Sequence, residues 1–197
     1  MKLMKRWLEQ QGACQESIDW FLRQKETNLV KLVNFIIEKK DSTLLSWANW
    51  VLPRKMKYKQ HLAYAIYAAE QIIKIYEKEY PNDKRPRKVI KEAKTCLENP
   101  SRRNRKTVAV VGCAAARAAI EATTEVAGQA AWITVWVAVV AAGRIIWATT
   151  WGTTWIAAWN AIEAGEAEIP TQIPGRVEIQ IRILRKGIKL LEEKKNE

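Results

Sequence analysis

Apolar residues recur every three or four positions along most of the chain, and this spacing predicts helices. It is clearest over 61–80, where two apolar stripes indicate a helix that packs on two sides. One stripe is Leu62, Ala65, Ile66, Ala69, Ile73, Tyr76 and Tyr80, and the other is Tyr64, Tyr67, Ala68, Ile72 and Ile75. Strand signals are nearly absent, because β-branched residues follow the helical spacing and no Asn-Gly or Asp-Gly turn occurs. The pattern predicts an all-α fold.

Shorter helices are expected on both sides of this central one. They are predicted over 2–11, 14–25, 28–39 and 43–51, after Pro86, and over 176–193. Gly12 is expected to close the first helix, Asp41 or Ser42 to cap the fourth, and Pro53 to stop it. Two buried faces follow from the spacing: Val89, Ile90, Ala93, Cys96 and Leu97 after Pro86, and Val177, Ile181, Leu184, Ile188 and Leu191 in the last helix.

The stretch 102–169 contains no proline and is rich in Ala and Trp. A single helix of that length would extend about 100 Å, so we expect it to fold back near 123–128 and near Gly143. The pattern predicts three closely packed helices, with Trp132, Trp136, Trp151 and Trp155 in the core against Ala and Gly. The whole prediction is one compact multi-helix bundle of about 9–10 helices. We expect this bundle to be a single domain over 1–197, with regions 1–56, 57–101, 102–169 and 170–197.

Two stretches, 126–143 and 145–162, are each 18 residues long without a charge, the length at which a membrane span becomes a candidate. Only Arg144 separates them, and the second contains several Thr and one Asn, which argues against insertion. The N-terminal residues do not resemble a secretory signal. Three cysteines without a C-x-x-C pair indicate reduced thiols and a cytoplasmic location, and each is expected to be a small buried residue.

Positive charge is concentrated in one short segment. The net charge of the chain is +12, and residues 84–106 alone carry 10 basic and 2 acidic side chains. Such a segment attracts an acidic protein face or phosphates, although a solvated helix face would show the same composition. Arg binds carboxylate and phosphate with two prongs, so the arginines are the stronger candidates. The candidate partner-binding residues are Arg85, Arg87, Arg102, Arg103, Arg105 and Lys106.

The patterns of catalytic and metal sites are missing from the sequence. No glycine-rich phosphate loop or G-x-S-x-G occurs, and His61 is the single imidazole. A carboxylate metal site is conceivable from Glu121, Glu125, Glu163, Glu166 and Glu168, but no E-x-x-H accompanies them. We therefore predict that the protein is not an enzyme and needs no metal or cofactor.

Three motifs carry a family resemblance: the A-x-x-A-A-E of 65–70, the Y-P-x-D of 80–83, and D-x-R-P-R-x-V-I over 83–90. They resemble a family of bacterial and phage immunity proteins, which usually has Ala at the position of Val89. Residues 13–16, 19–21 and 183–191 are also similar to that family, whereas 126–162 departs from it. The resemblance implies a link to toxin immunity and to phages. Within the motif, Asp83 and Pro86 are expected to form a structural corner, where Asp83 caps a helix and pairs with an Arg.

These observations favour a non-enzymatic cytoplasmic inhibitor that occupies an acidic protein partner, such as a toxin or a defence factor. Two alternatives stay open. The segment 84–106 would also suit a binder of nucleic acid or of a phosphate-bearing nucleotide, and 126–162 would suit a small integral membrane protein. The sequence leaves the partner and the oligomeric state open, including a homo-oligomer.

Overall fold

The computed structural model describes residues 1–122, 134–135, 137–138, 140–142 and 175–193, and this part of the chain is almost entirely helical. The helices are α1 Lys5–Gln10, α2 Gln15–Gln24, α3 Leu29–Lys39, α4 Ser42–Arg54, α5 Tyr58–Glu79, α6 Arg85–Glu98, α7 Arg102–Glu121 and α8 Arg176–Glu192. The described residues between 134 and 142 are helical as well. The only strand-like pairing among the described residues is an isolated bridge between Lys2 and Asn28. The all-α prediction is confirmed.

The chain divides into two compact units. Unit 1 consists of Met1–Met56 and Val177–Glu197, and unit 2 is Lys57–Arg176. Each unit collects the apolar faces of its own helices into a core. A single domain over 1–197 stays a prediction.

Unit 1 contains α1 to α4 and nearly all of α8. The apolar face of α3 is buried as predicted, with Leu29 fully buried and Val33 nearly so. Asn28 caps α3 by accepting a hydrogen bond from the Val30 amide at 3.0 Å. Asp41 caps α4 in the same way, by accepting from the Leu44 amide at 2.9 Å. The predicted inward face of α8 is buried except for Val177, which is half-buried.

Two predicted helix ends in unit 1 are wrong. The first helix starts at Lys5, because the residues before it pair with the strand-like residues that precede α3: the Leu3 amide donates to the Thr27 carbonyl at 2.7 Å. The fourth helix continues past Pro53 to Arg54. Burial of Leu52 and Pro53 favours this last turn, and the Arg54 side chain donates to the Trp50 carbonyl at 2.6 Å.

Unit 2 is built on α5, which packs against α6, while α6 packs against α7. The central helix starts at Tyr58 rather than His61, because the Gln60 side chain accepts a hydrogen bond from the Lys57 amide at 3.0 Å and stabilises an earlier start. Both predicted stripes of α5 are mostly buried. The predicted face of α6 is buried too, apart from a half-buried Leu97.

Small residues let α7 approach the 134–142 segment closely. A Cβ added at Gly112 would lie 2.5 Å from the Cβ of Ala138, which leaves no room for a side chain. The helix α7 ends at Glu121 and is followed by an extended Ala122, just before the predicted fold-back. The fold-back itself, Gly143, the loop after 169 and the tryptophans from Trp132 to Trp159 lie outside the described residues.

The cysteine prediction is right for one residue and wrong for two. Cys96 is fully buried, whereas Cys14 and Cys113 are exposed. Cys14 precedes the first turn of α2, and Cys113 lies on the face of α7 that also exposes Val110 and Ile120. All three thiols are free.

Candidate binding surface

The segment before α6 is a turn organised by one carboxylate. Asp83 accepts hydrogen bonds from the Arg85 amide at 2.9 Å and from the Tyr76 hydroxyl at 2.6 Å. The Arg85 guanidinium also donates to Asp83, through Nε at 3.0 Å and Nη2 at 2.7 Å. Pro86 is buried in the first turn of α6. Asp83 forms the expected pair with an Arg, but the N-cap position of α6 is Lys84, and Asp83 lies one residue before it and accepts from the first helical amide.

The two arginines of the motif are both held by carboxylates from other helices. Arg85 Nη2 donates to Glu121 Oε2 at 2.6 Å, which links the start of α6 to the end of α7. Arg87 Nε donates to Glu77 Oε1 at 2.7 Å, which links α6 to α5. We call this set the α6 corner: Tyr76, Glu77, Asp83, Arg85, Pro86, Arg87 and Glu121. Arg85 and Arg87 therefore form ion pairs within the chain.

The charges of the α6 corner stabilise one another. Hydrogen bonds from Arg85 lower the pKa of Asp83 to about 2, and the contacts with Asp83 and Glu121 raise the pKa of Arg85. The Arg87 guanidinium likewise lowers the pKa of Glu77. Burial, followed by the hydrogen bond to Asp83, raises the pKa of Tyr76. Each group therefore keeps its charge state across the physiological range.

The other candidate residues lie at the opposite end of α6, where α7 begins. Ser101 caps α7 by accepting a hydrogen bond from the Asn104 amide at 3.1 Å. Arg102, Arg103 and Lys106 are exposed, and none of them forms an ion pair within the part of the chain that the structure describes. The first turn of α7 contains no acidic residue.

The start of α5 lies beside the start of α7, where Arg105 contacts it. The Arg105 guanidinium carbon lies 4.5 Å from the centre of the Tyr58 ring, so the first turns of α5 and α7 are neighbours. Lys57 and Lys59 flank Tyr58, and both are exposed. We call this set the basic end: Lys57, Lys59, Arg102, Arg103, Arg105 and Lys106.

Sequence reasoning missed the two lysines because it placed the start of the central helix at His61. The signal that could have found them is the Lys-Tyr-Lys of 57–59, where an aromatic ring stands between two cations. The first turn of α5 also lacks acidic residues. Positive charge and two positive helix-dipole ends therefore coincide at the basic end, which favours a negatively charged partner.

The described residues offer little for metal or substrate chemistry. They contain no group of three or more His, Cys, Asp or Glu side chains that could hold a metal ion. Glu121 pairs with Arg85, and the other four candidate carboxylates of the Ala-rich region lie outside the described residues. Unit 1 has an apolar pocket of about 50 Å³ beside Trp20 and Trp47. A pocket of that size is far below the several hundred Å³ of typical ligand sites.

Within the described parts of the chain, no helix is both long enough and apolar enough to cross a membrane. Most of the candidate stretch 126–162 lies outside those parts.

Comparisons with protein-family models, with curated proteins and with solved structures found no match. The resemblance to bacterial and phage immunity proteins therefore stays a prediction that depends on the motifs of 65–90.

Proposed function

We propose that this protein is a non-enzymatic, cytoplasmic binding protein that inhibits a protein partner by occupying an acidic face of it through the basic end. The resemblance to immunity proteins suggests a toxin or a host defence factor as that partner. The three free thiols agree with a reducing compartment.

The observation that carries the proposal is the unequal use of positive charge in unit 2. At the α6 corner, carboxylates of the same chain neutralise Arg85 and Arg87. At the basic end, six cations converge from α5 and α7 without a carboxylate in either first turn. Glu98, the nearest acidic residue in sequence, forms no ion pair with them in the described structure. Uncompensated charge of this kind raises association rates and selects a partner of opposite sign.

An acidic protein face fits this surface better than nucleic acid does. Proteins that hold single-stranded nucleic acid usually offer aromatic faces on which bases stack. At the basic end, the Arg105 guanidinium lies over one face of the Tyr58 ring, so that face is not open to a base. The described surface otherwise offers point charges and guanidinium forks, which bind carboxylates and phosphates alike, so the occupied ring face is what favours a protein partner.

Affinity capture tests the proposal in cells that carry the genes next to this one. Three baits are compared with and without nuclease treatment: the wild type, the triple variant R102E/R103E/K106E, and the control K74E/K88E/K91E. The control residues are exposed lysines of α5 and α6, so both variants change the net charge equally.

We expect an acidic protein that the wild type and the control enrich and that the triple variant loses. With that protein purified, we expect the triple variant to raise Kd at least about tenfold over the control. Enrichment of no protein would overturn the proposal. Loss of the captured material on nuclease treatment would do the same and would favour the nucleic-acid alternative.

A further inference from the structure

We infer that Arg105 is the specificity-determining residue of the basic end, where it binds a carboxylate of the partner with two prongs, and that Tyr58 is the residue that positions it. This inference rests on the proposed function. It assigns Arg105 a role different from that of Arg102 and Arg103, although the sequence pattern does not distinguish the three.

The environment of Arg105 differs from that of the other cations. Its guanidinium lies over the Tyr58 ring, and its Nε atom is buried without a hydrogen-bond partner in the described structure. The residue as a whole is half-exposed. Its two terminal Nη groups make no hydrogen bond among the described residues and are not among the buried unpaired atoms, so they are the donors left for a partner. Two parallel N–H groups match the two oxygens of a carboxylate.

Tyr58 is itself fixed by the interior of unit 2. Its hydroxyl donates to the Ala141 carbonyl at 2.6 Å and lies 3.6 Å from the Cys96 sulfur. Cys96 and Ala141 are both fully buried. The ring therefore cannot move without breaking this hydrogen bond, and the guanidinium lies over a ring whose position is fixed. Holding a side chain in its bound orientation beforehand reduces the entropy that binding costs.

Arg102 and Arg103 lack such support. Both are exposed in the first turn of α7, without an ion pair or ring contact in the described structure. Long exposed side chains of this kind attract a partner from a distance, but they lose rotamer freedom when they bind. We therefore assign steering to Arg102 and Arg103 and selective binding to Arg105.

Replacement of Arg by Lys separates the two roles, because it keeps the charge and removes the planar fork and the stacking. The probe is fluorescently labelled poly-L-glutamate, and its binding to the purified full chain is measured by anisotropy at several salt concentrations. We expect R105K to raise Kd about tenfold and R103K less than about twofold, with the same salt slope for both. A misfolded variant would show a weaker dependence of Kd on salt, because fewer of its charges would contact the probe.

A double-mutant cycle tests the role of Tyr58. Y58L removes the ring, and its fold is checked by circular dichroism. We expect Y58L to weaken binding about as much as R105K, and we expect the double variant to be no weaker than either single variant. Additive losses would overturn the positioning role of Tyr58, and R105K by itself still tests the fork if Y58L does not fold.

The outcomes also distinguish the two proposals. If the wild type binds poly-L-glutamate and R105K is no weaker than R103K, the inference about Arg105 fails and the proposed function stands. If the wild type binds a short single-stranded DNA but not poly-L-glutamate under the same conditions, the proposed function fails, and the inference fails with it.

Discussion

Arginines lie beside both ends of α6, but within the described residues they are paired with carboxylates at one end and unpaired at the other. At the α6 corner, Arg85 and Arg87 each meet a carboxylate of another element or turn at 2.7 Å or less. At the basic end, Arg102 and Arg103 meet none in the described structure. One end holds helices together, and the other presents its charge outward. The two halves of the basic segment 84–106 therefore have different roles, and each needs its own test.

The largest expected effect comes from removing the central cation of the α6 corner. We expect Arg85→Ala to lower the free energy of unfolding by about 2.5 kcal/mol, mainly because Asp83 would lose its charged donors. The bond to Glu121, whose side chain is 60% exposed, contributes little. The Asp83 side chain is only 17% exposed, so water replaces the lost donors poorly. Urea denaturation followed by circular dichroism measures the change.

Arg103→Ala is the matched control at the basic end, and we expect it to change the free energy of unfolding by less than about 0.5 kcal/mol. Equal losses for the two variants would remove the distinction between the ends.

The second effect is a pH dependence of stability that belongs to the α6 corner. The folded pKa of Asp83 is about 2, below its ordinary value of 3.8, so its carboxylate stabilises the fold above about pH 4. This contribution, about 2 kcal/mol, is lost as the pH falls from 4 towards 2. We expect the difference in unfolding free energy between wild type and Asp83→Asn to shrink by most of that amount between pH 6 and pH 2.5. A constant difference would show that folding does not lower the pKa of Asp83.

Local sequence was sufficient for part of the corner and insufficient for the rest. Asp83 and Arg85 are two residues apart, so their pairing and the role of Pro86 at the helix start follow from turn chemistry. The carboxylates that pair with Arg85 and Arg87 from outside the turn are Glu121 and Glu77, which come from two other helices. No local pattern indicates such contacts, because they depend on how α5, α6 and α7 pack.

The basic end shows the same limit from the other side. Its charge is visible in the sequence, since Arg102 to Lys106 are adjacent. The contact between Arg105 and Tyr58 is not, because the two residues are far apart in the chain and meet only when α5 and α7 both pack on α6. An error of three residues in the start of α5 also hid Lys57 and Lys59.

The third effect isolates a single hydroxyl of the α6 corner. Tyr76 is 1% exposed, and its hydroxyl donates to the charged Asp83 at 2.6 Å. We expect Tyr76→Phe to lower the free energy of unfolding by about 1.5 kcal/mol, the usual size for a buried hydrogen bond to a charged group. Tyr67→Phe on the same helix is the control, and we expect a change below about 0.5 kcal/mol because that residue is only half-buried. A loss of the same size in both variants would show that the hydroxyl of Tyr76 has no special role.

The smallest effect has the opposite sign. Arg102 and Arg103 lie in the first turn of α7, where a helix favours negative charge. We expect R102E/R103E to raise the free energy of unfolding by about 1 kcal/mol, and we expect no such gain from K74E/K91E, in the interiors of α5 and α6. Thermal denaturation of both variants measures the difference, and a loss of stability in R102E/R103E would show that these arginines make contacts that support the fold. If R102E/R103E stabilises the protein and R102E/R103E/K106E loses its partner, the charges of the basic end serve binding at a cost in stability. The arginines of the α6 corner differ, because they are already paired with carboxylates of the same chain and stabilise the fold.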